Sequence, residues 1–204
     1  MRIVRLAFGV LALCAVGPGV ANASVFHVRP GGDSKVVFIS KAPMEKVQGK
    51  TSRMEGTIDV DPARLADSAT VHFEVDLASL DTGIAKRNQH MRENHLETAK
   101  YPKAVFDGVV LHDAGGASLI AGKPTTLDVE GTFALHGVTR RIRIHVEVIL
   151  KHLDGKSGQS AAIAFKATFP VSLADYAISR PEFLFLKLAD TQEVRVSGTA
   201  VAEH

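Results

Sequence analysis

The chain has 204 residues, with 24 Lys and Arg against 22 Asp and Glu, one cysteine and no tryptophan. This near balance leaves no basic field to attract nucleic acid or an anionic membrane, and a lone cysteine excludes an internal disulfide framework. The length suits one hydrophobic core and does not demand two domains.

At the N-terminus, Arg2 and Arg5 precede an apolar run from Leu6 to Val16, Gly17-Pro18-Gly19 breaks any helix, and Ala21-Asn22-Ala23 supplies the small residues a signal peptidase requires. The pattern predicts a Sec-type signal peptide over residues 1–23, cleaved after Ala23, and a single domain over residues 24–204 that is periplasmic or secreted. The apolar run falls short of the roughly 20 residues a membrane-spanning helix needs. Leu13, before Cys14, stands where a lipoprotein signal wants a small residue. Cleavage removes two arginines, no acid and the only cysteine, so the mature chain is neutral with its histidines uncharged.

Beyond the leader the repeating signal has period two, the period at which successive side chains face opposite sides of a strand. Less regular strands are predicted from Lys35 to Lys41, from Val47 to Asp59 and from Ala104 to His112. Val71, Phe73, Val75 and Leu77 alternate with His72, Glu74 and Asp76; Leu127, Val129, Phe133 and Leu135 with Asp128, Glu130 and Thr132; Ile142, Ile144, Val146, Val148 and Leu150 with Arg141, Arg143, His145 and Glu147. Ile163, Phe165, Ala167 and Phe169 share one face of the next strand, and Val194 and Val196 face away from Arg195 and Ser197 in the last. Turn chemistry separates the runs at Pro30-Gly31-Gly32-Asp33, Asp61-Pro62, Asp113 to Gly116, His136-Gly137 and Asp154-Gly155. Short connections favour antiparallel neighbours, and about eight strands with one apolar face each predict an all-β sandwich or closed barrel. An eight-stranded barrel is either filled by its own side chains or holds one small ligand, and period alone does not choose.

The period changes between Ser79 and Phe106. Residues 85–96, AKRNQHMRENHL, are good helix formers with apolar Ile84, Met91 and Leu96 sparsely spaced, and Asp81 or Thr82 is placed to cap the turn before them. A short helix is predicted there, ended by Pro102, which also biases Tyr101 toward extended geometry.

This stretch resembles the signature of the YceI-like family of exported lipid-binding proteins. The match runs through Ser79-Leu80-Asp81-Thr82-Gly83, Arg87-Asn88-Gln89-His90-Met91 and Tyr101-Pro102 with Phe106, and a second element matches from Gly131 through His136-Gly137-Val138-Thr139. The resemblance implies an eight-stranded antiparallel lipocalin-like barrel, with a short helix near residues 85–96, whose apolar tunnel holds a long-chain amphiphile: a polyisoprenoid, a fatty acid or a fatty amide. It implies transport, storage or a stress response, and no enzyme activity. Two departures stand out. Asn88 replaces an aspartate that would pair with Arg87, and the C-terminal part carries Tyr176, Arg180, Pro181 and the run Phe183-Leu184-Phe185-Leu186 in place of the usual basic-acidic-Phe-Gly element.

The candidate tunnel lining is Phe38, Phe73, Val75, Phe106, Phe133, Leu135, Ile144, Val146, Phe165, Phe169 and Phe185, and the candidate head-group contacts are Arg87, Asn88 and His90. A guanidinium at a barrel mouth offers paired donors to a phosphate or carbonyl group. His90 and His95, five apart, do not share a helical face as residues four apart do, and no His-Glu-x-x-His pattern accompanies them, so no metal site is expected. Ser79, Asp81 and His90 supply the residue types of a hydrolase triad without a Gly-x-Ser-x-Gly elbow. No cofactor is expected besides a bound isoprenoid or other long-chain lipid. Expected partners are that lipid and no nucleic acid, with transient membrane contact and a homodimer left open. A hydrolase of lipid esters or amides and a ligand-free interaction module are the alternatives.

Overall fold

A computed structural model describes residues 24–41, 46–65, 69–111, 118–155, 158–180, 182–183 and 186–203. The expected signal peptide and its cleavage site, the Asp113 to Gly116 turn, the end of the predicted strand at His112, and Phe185 lie outside the described residues.

The long alternating segments form the strands expected of them. β1 (Ser24–Val28), β4 (Met54–Val60), β5 (Thr70–Asp76), β6 (Lys103–Val110), β7 (Thr125–Leu135), β8 (Val138–Gly155), β9 (Gly158–Ser172) and β12 (Thr191–Ala202) form an antiparallel ring in that order, closed by β1 against β12. Closure rests on Phe26, opposite Ile58 on β4 and Ala202 on β12. β2 (Lys35–Lys41) pairs with the opening half of β12, and β3 (Lys46–Thr51) pairs with β2. β1 with β2, and β3 with β4, thus occupy two wall positions as interrupted strands. The interruptions are tied together by the Gly31 N–H donating to the Ser52 carbonyl at 2.8 Å. β10 (Glu182–Phe183) and β11 (Leu186–Lys187) make a separate two-stranded ladder.

Three boundaries differ from expectation. The strand predicted from Val47 to Asp59 breaks at Ser52-Arg53, where Thr51 Oγ1 accepts from Arg53 N–H at 2.9 Å and takes it out of the ladder. β1 is missing from the sequence reading because it is only five residues long and carries apolar Val25 on its exposed side, which blurs the alternation. Asp154-Gly155 does not turn; β8 runs through both, Asp154 opposite Gln159 and Gly155 opposite Gly158. The His136-Gly137 turn does form, and both residues have positive φ (52° and 75°), the twist a two-residue hairpin requires.

The helical excursion sits over one end of the barrel. α1 (Ala85–His90) runs directly into a π-helical turn (Met91–His95), in which Leu96 N–H donates to the Met91 carbonyl, five residues back. Asp81 caps the turn before it by accepting from Gly83 N–H at 2.8 Å. Four ties fix the excursion to the wall. Lys50 and Asp81 exchange backbone hydrogen bonds, Leu77 N–H donates to the Pro102 carbonyl, His95 Nδ1 meets the Ser179 carbonyl at 3.1 Å, and His136 Nε2 meets Glu97 at 2.7 Å.

Outside, charge ladders cover the strands: Glu130 takes hydrogen bonds from Arg141 and Arg143, and Lys103 bridges Glu74 and Glu55. These neighbours hold the Glu74 and Glu130 carboxyls below their ordinary range. Inside, one buried cluster gathers Phe26, Met54, Val60, Leu65, Leu119 and their neighbours, and a second gathers Leu77, Leu80, Leu135, Leu173, Tyr176 and Ile178 at the helical end.

Candidate functional site

The barrel is hollow. Phe73, Val75, Phe133, Phe169 and Val194 point inward yet are only half-buried, because they border open space and not other side chains. The cavity measures about 660 Å³, within the range of pockets that enclose small-molecule and cofactor ligands. Room for the Phe rings comes from glycines on adjacent strands: a Cβ on Gly49 would lie 2.1 Å from the Phe38 ring, and one on Gly56 2.6 Å from the Phe73 ring. Aromatic packing stiffens the wall, with Phe73 and Phe165 centroids 5.3 Å apart and Phe133 edge-on to both Phe169 and Tyr176.

Of the predicted lining residues, Phe38, Phe73, Val75, Phe106, Phe133, Leu135, Ile144, Val146, Phe165 and Phe169 all face this cavity. They come from the inward parity of six strands (β2, β5, β6, β7, β8 and β9), and Val194 and Val196 of β12 line the cavity beside them. Among the described residues, the polar residues of the wall are Ser40, Thr82, Lys86, Arg87, His90, His95 and Gln192, and all belong to the helical end. Exposed Ile84, Lys86 and His90 border the cavity there, so it reaches solvent past α1. At the opposite end the wall is finished by buried Val60 and Leu119.

Arg87 stands at this mouth in a fixed pose. Its Nε donates to Thr82 Oγ1 and its Nη2 to the Thr82 carbonyl, both at 3.0 Å. Thr82 Oγ1 in turn donates to Asn88 Oδ1 at 2.7 Å, Thr82 N–H donates to the same oxygen at 2.8 Å, and Asn88 Nδ2 donates to Asp81 Oδ1 at 2.6 Å. Asn88 is therefore absent from the cavity wall and serves the loop. The amide has a specific use here, since a carboxylate at residue 88 would face the Asp81 carboxylate with no proton between them. Hydrogen bonds from Gly83 N–H and then Asn88 hold the Asp81 carboxyl below its ordinary range.

The two histidines come together for a reason the α-helical period hides. Residues five apart do share a face across a π-helical turn, and His90 and His95 both border the cavity. Burial, helped by the charge of His90, pushes the His95 imidazole below its ordinary pKa, against the opposing pull of the Ser179 carbonyl. Because a carbonyl can only accept, the Nδ1–H of His95 donates to it. Among the described residues no group of three or more His, Cys, Asp or Glu is arranged to hold a metal ion. Ser79 Oγ donates to the Asp76 carbonyl and pairs with Thr51 Oγ1, each at 2.6 Å, so the Ser79 hydroxyl is engaged in the loop and not with His90.

Sequence reasoning missed Thr82, Lys86, His95, Ser40 and Gln192. Strand parity carries a signal for the last two: Ser40 follows Val36 and Phe38 on the inward face of β2, and Gln192 precedes Val194 and Val196 on that of β12.

Fold and cavity together define a hollow antiparallel barrel with a polar mouth at its helical end. The chain belongs to the YceI-like domain family, whose model matches residues 26–200. It is 29% identical over 181 residues to a UPF0312 protein of Vibrio cholerae, covering 87% of this chain and 89% of that one. A UPF0312 protein of Vibrio parahaemolyticus is 30% identical over 171 residues, covering 82% and 85%. Among solved structures, a polyisoprenoid binding domain from Saccharophagus degradans implicated in plant cell wall breakdown superposes with a TM-score of 0.65 at 20% identity, covering 89% of this chain and 99% of that one. BcnA of Burkholderia cenocepacia superposes with a TM-score of 0.60 at 18% identity, covering 83% and 96%.

Proposed function

We propose that the barrel holds one long-chain amphiphile, its hydrocarbon in the cavity and its polar end at the helical mouth. The observation that carries this reading is the distribution of chemistry along the cavity: among the described residues, a continuous apolar wall with every polar lining residue gathered at one end. A chain of about 20 carbons gains more than about 10 kcal/mol from burial before ordering costs are set against it, so the wall supplies affinity and the mouth sets orientation. Arg87, oriented by Thr82, offers its guanidinium to a phosphate, carboxylate or carbonyl oxygen, with His90 beside it. The polyisoprenoid binding domain with the same fold supports an isoprenoid as one candidate ligand. The reading includes export after cleavage at Ala23, transient contact with a membrane at the mouth to load or unload the chain, and a role in transport or storage.

Binding of saturated alcohols from dodecanol to eicosanol tests it. Each added methylene should strengthen binding about fourfold until the cavity is full, read by tryptophan fluorescence of a Phe133→Trp variant. Affinity indifferent to chain length would contradict the reading.

A further inference from the structure

Ser40 is the next-to-last residue of β2 and is only 1% exposed. By strand parity it faces inward with Val36 and Phe38, and all three border the cavity. Its hydroxyl is the buried side-chain polar atom that finds no hydrogen-bond partner among the described residues. More than nine in ten buried polar groups are partnered, because a buried hydroxyl left alone forfeits its hydrogen bonds to water. Alanine would occupy this site with nearly the same volume and without that cost. The residue beside it is also polar. The β2–β12 register, with Ile39 opposite Glu193, brings Ser40 next to Gln192, which is buried and borders the same cavity. Gln192 Nε2 is spent on the Ala189 carbonyl at 2.6 Å, which anchors the Gln192 side chain at the cavity wall. An apolar barrel thus carries two adjacent inward polar side chains on neighbouring strands, one of them unpartnered.

We infer that Ser40, seated beside Gln192, is a specificity-determining contact for an uncharged hydrogen-bonding oxygen of the bound chain, a hydroxyl or a carbonyl. This rests on the long-chain reading and narrows it. The full burial of Ser40 favours a neutral group, since an ion at this depth would lose its hydration for one hydroxyl contact. Ser40 and Arg87 lie at the same end of the cavity, so the ligand enters with its polar end at the helical mouth, and its oxygen meets the Ser40 hydroxyl, which shows almost no surface to the empty cavity, once that hydroxyl turns toward it. A hydrocarbon of equal length fills the barrel equally well but leaves the hydroxyl unpaired.

The test is a competition. Delipidated protein is equilibrated with a fixed mixture of eicosanol and eicosane, and the bound fraction is extracted and quantified by gas chromatography and mass spectrometry. The alcohol-to-alkane ratio should fall about threefold to tenfold from wild type to Ser40→Ala, and Ser40→Thr, which keeps the hydroxyl, should restore it. Bound eicosane should rise as bound eicosanol falls, with their sum staying at one chain per barrel, and the thermal midpoint of Ser40→Ala should be no lower than that of wild type. A ratio identical in wild type and Ser40→Ala, with both compounds recovered, overturns the assignment of Ser40 and leaves the long-chain reading standing. Recovery of neither compound from the folded wild type overturns the long-chain reading, and the role of Ser40 with it.

Discussion

Replacing Ala167 with tryptophan is expected to weaken eicosanol binding roughly 200-fold while the barrel stays folded. Ala167 lies at mid-length on β9, opposite Val146 on β8 and Val196 on β12, and all three border the cavity. It is the smallest side chain of that row, so a larger one there projects into the cavity. An indole projecting there takes the place of about four methylenes of the bound chain, each worth about 0.8 kcal/mol. Because it grows into open space and not into packed atoms, the usual overpacking cost of about 1–3 kcal/mol is largely avoided. Titration of folded Ala167→Trp protein, checked by circular dichroism, reads the effect. Unaltered affinity would place the ligand outside the barrel.

The second large effect concerns closure. Phe26 is completely buried and belongs to the core cluster with Met54, Ile58 and Val60, while its backbone joins β4 to β12. Truncating such a phenylalanine costs about 3–5 kcal/mol. Phe26→Ala should therefore lower the thermal midpoint by roughly 10 °C in a chain of this size, followed by circular dichroism. A shift within a degree or two would mean that β1 is not what seals the ring.

The legible part of this protein was its wall. Period-two alternation marked β5, β7, β8, β9 and β12 because those strands turn large apolar side chains toward the cavity on one face and polar or small ones outward on the other. The same parity brought ten predicted lining residues to the cavity, although alternation alone does not distinguish a filled barrel from a hollow one. That distinction depends on volumes summed across the ring, such as alanine at residue 167 and the glycines beneath Phe38 and Phe73. The mouth was less legible. Its geometry depends on a π-helical turn, which alters the spacing rule and brings His90 and His95 to one face. It also depends on a side-chain network centred on Thr82, which orients Arg87 and is itself held by the Asn88 amide oxygen. The substitution at Asn88 looked like the loss of a partner for Arg87, whereas its amide bridges Thr82 to Asp81. Neither feature has a hydrophobic period. Strand interruptions were invisible for a similar reason, since the break at Ser52-Arg53 is made by a threonine hydroxyl taking a backbone N–H.

What the barrel contains when it is made by a cell is the most direct test of long-chain binding. Protein expressed as the full chain, purified without detergent and extracted into organic solvent should yield one long-chain amphiphile per barrel by mass spectrometry, and Ala167→Trp prepared in parallel should yield far less. Folded wild-type protein that repeatedly releases no long-chain compound, and takes none up when one is supplied, would contradict it.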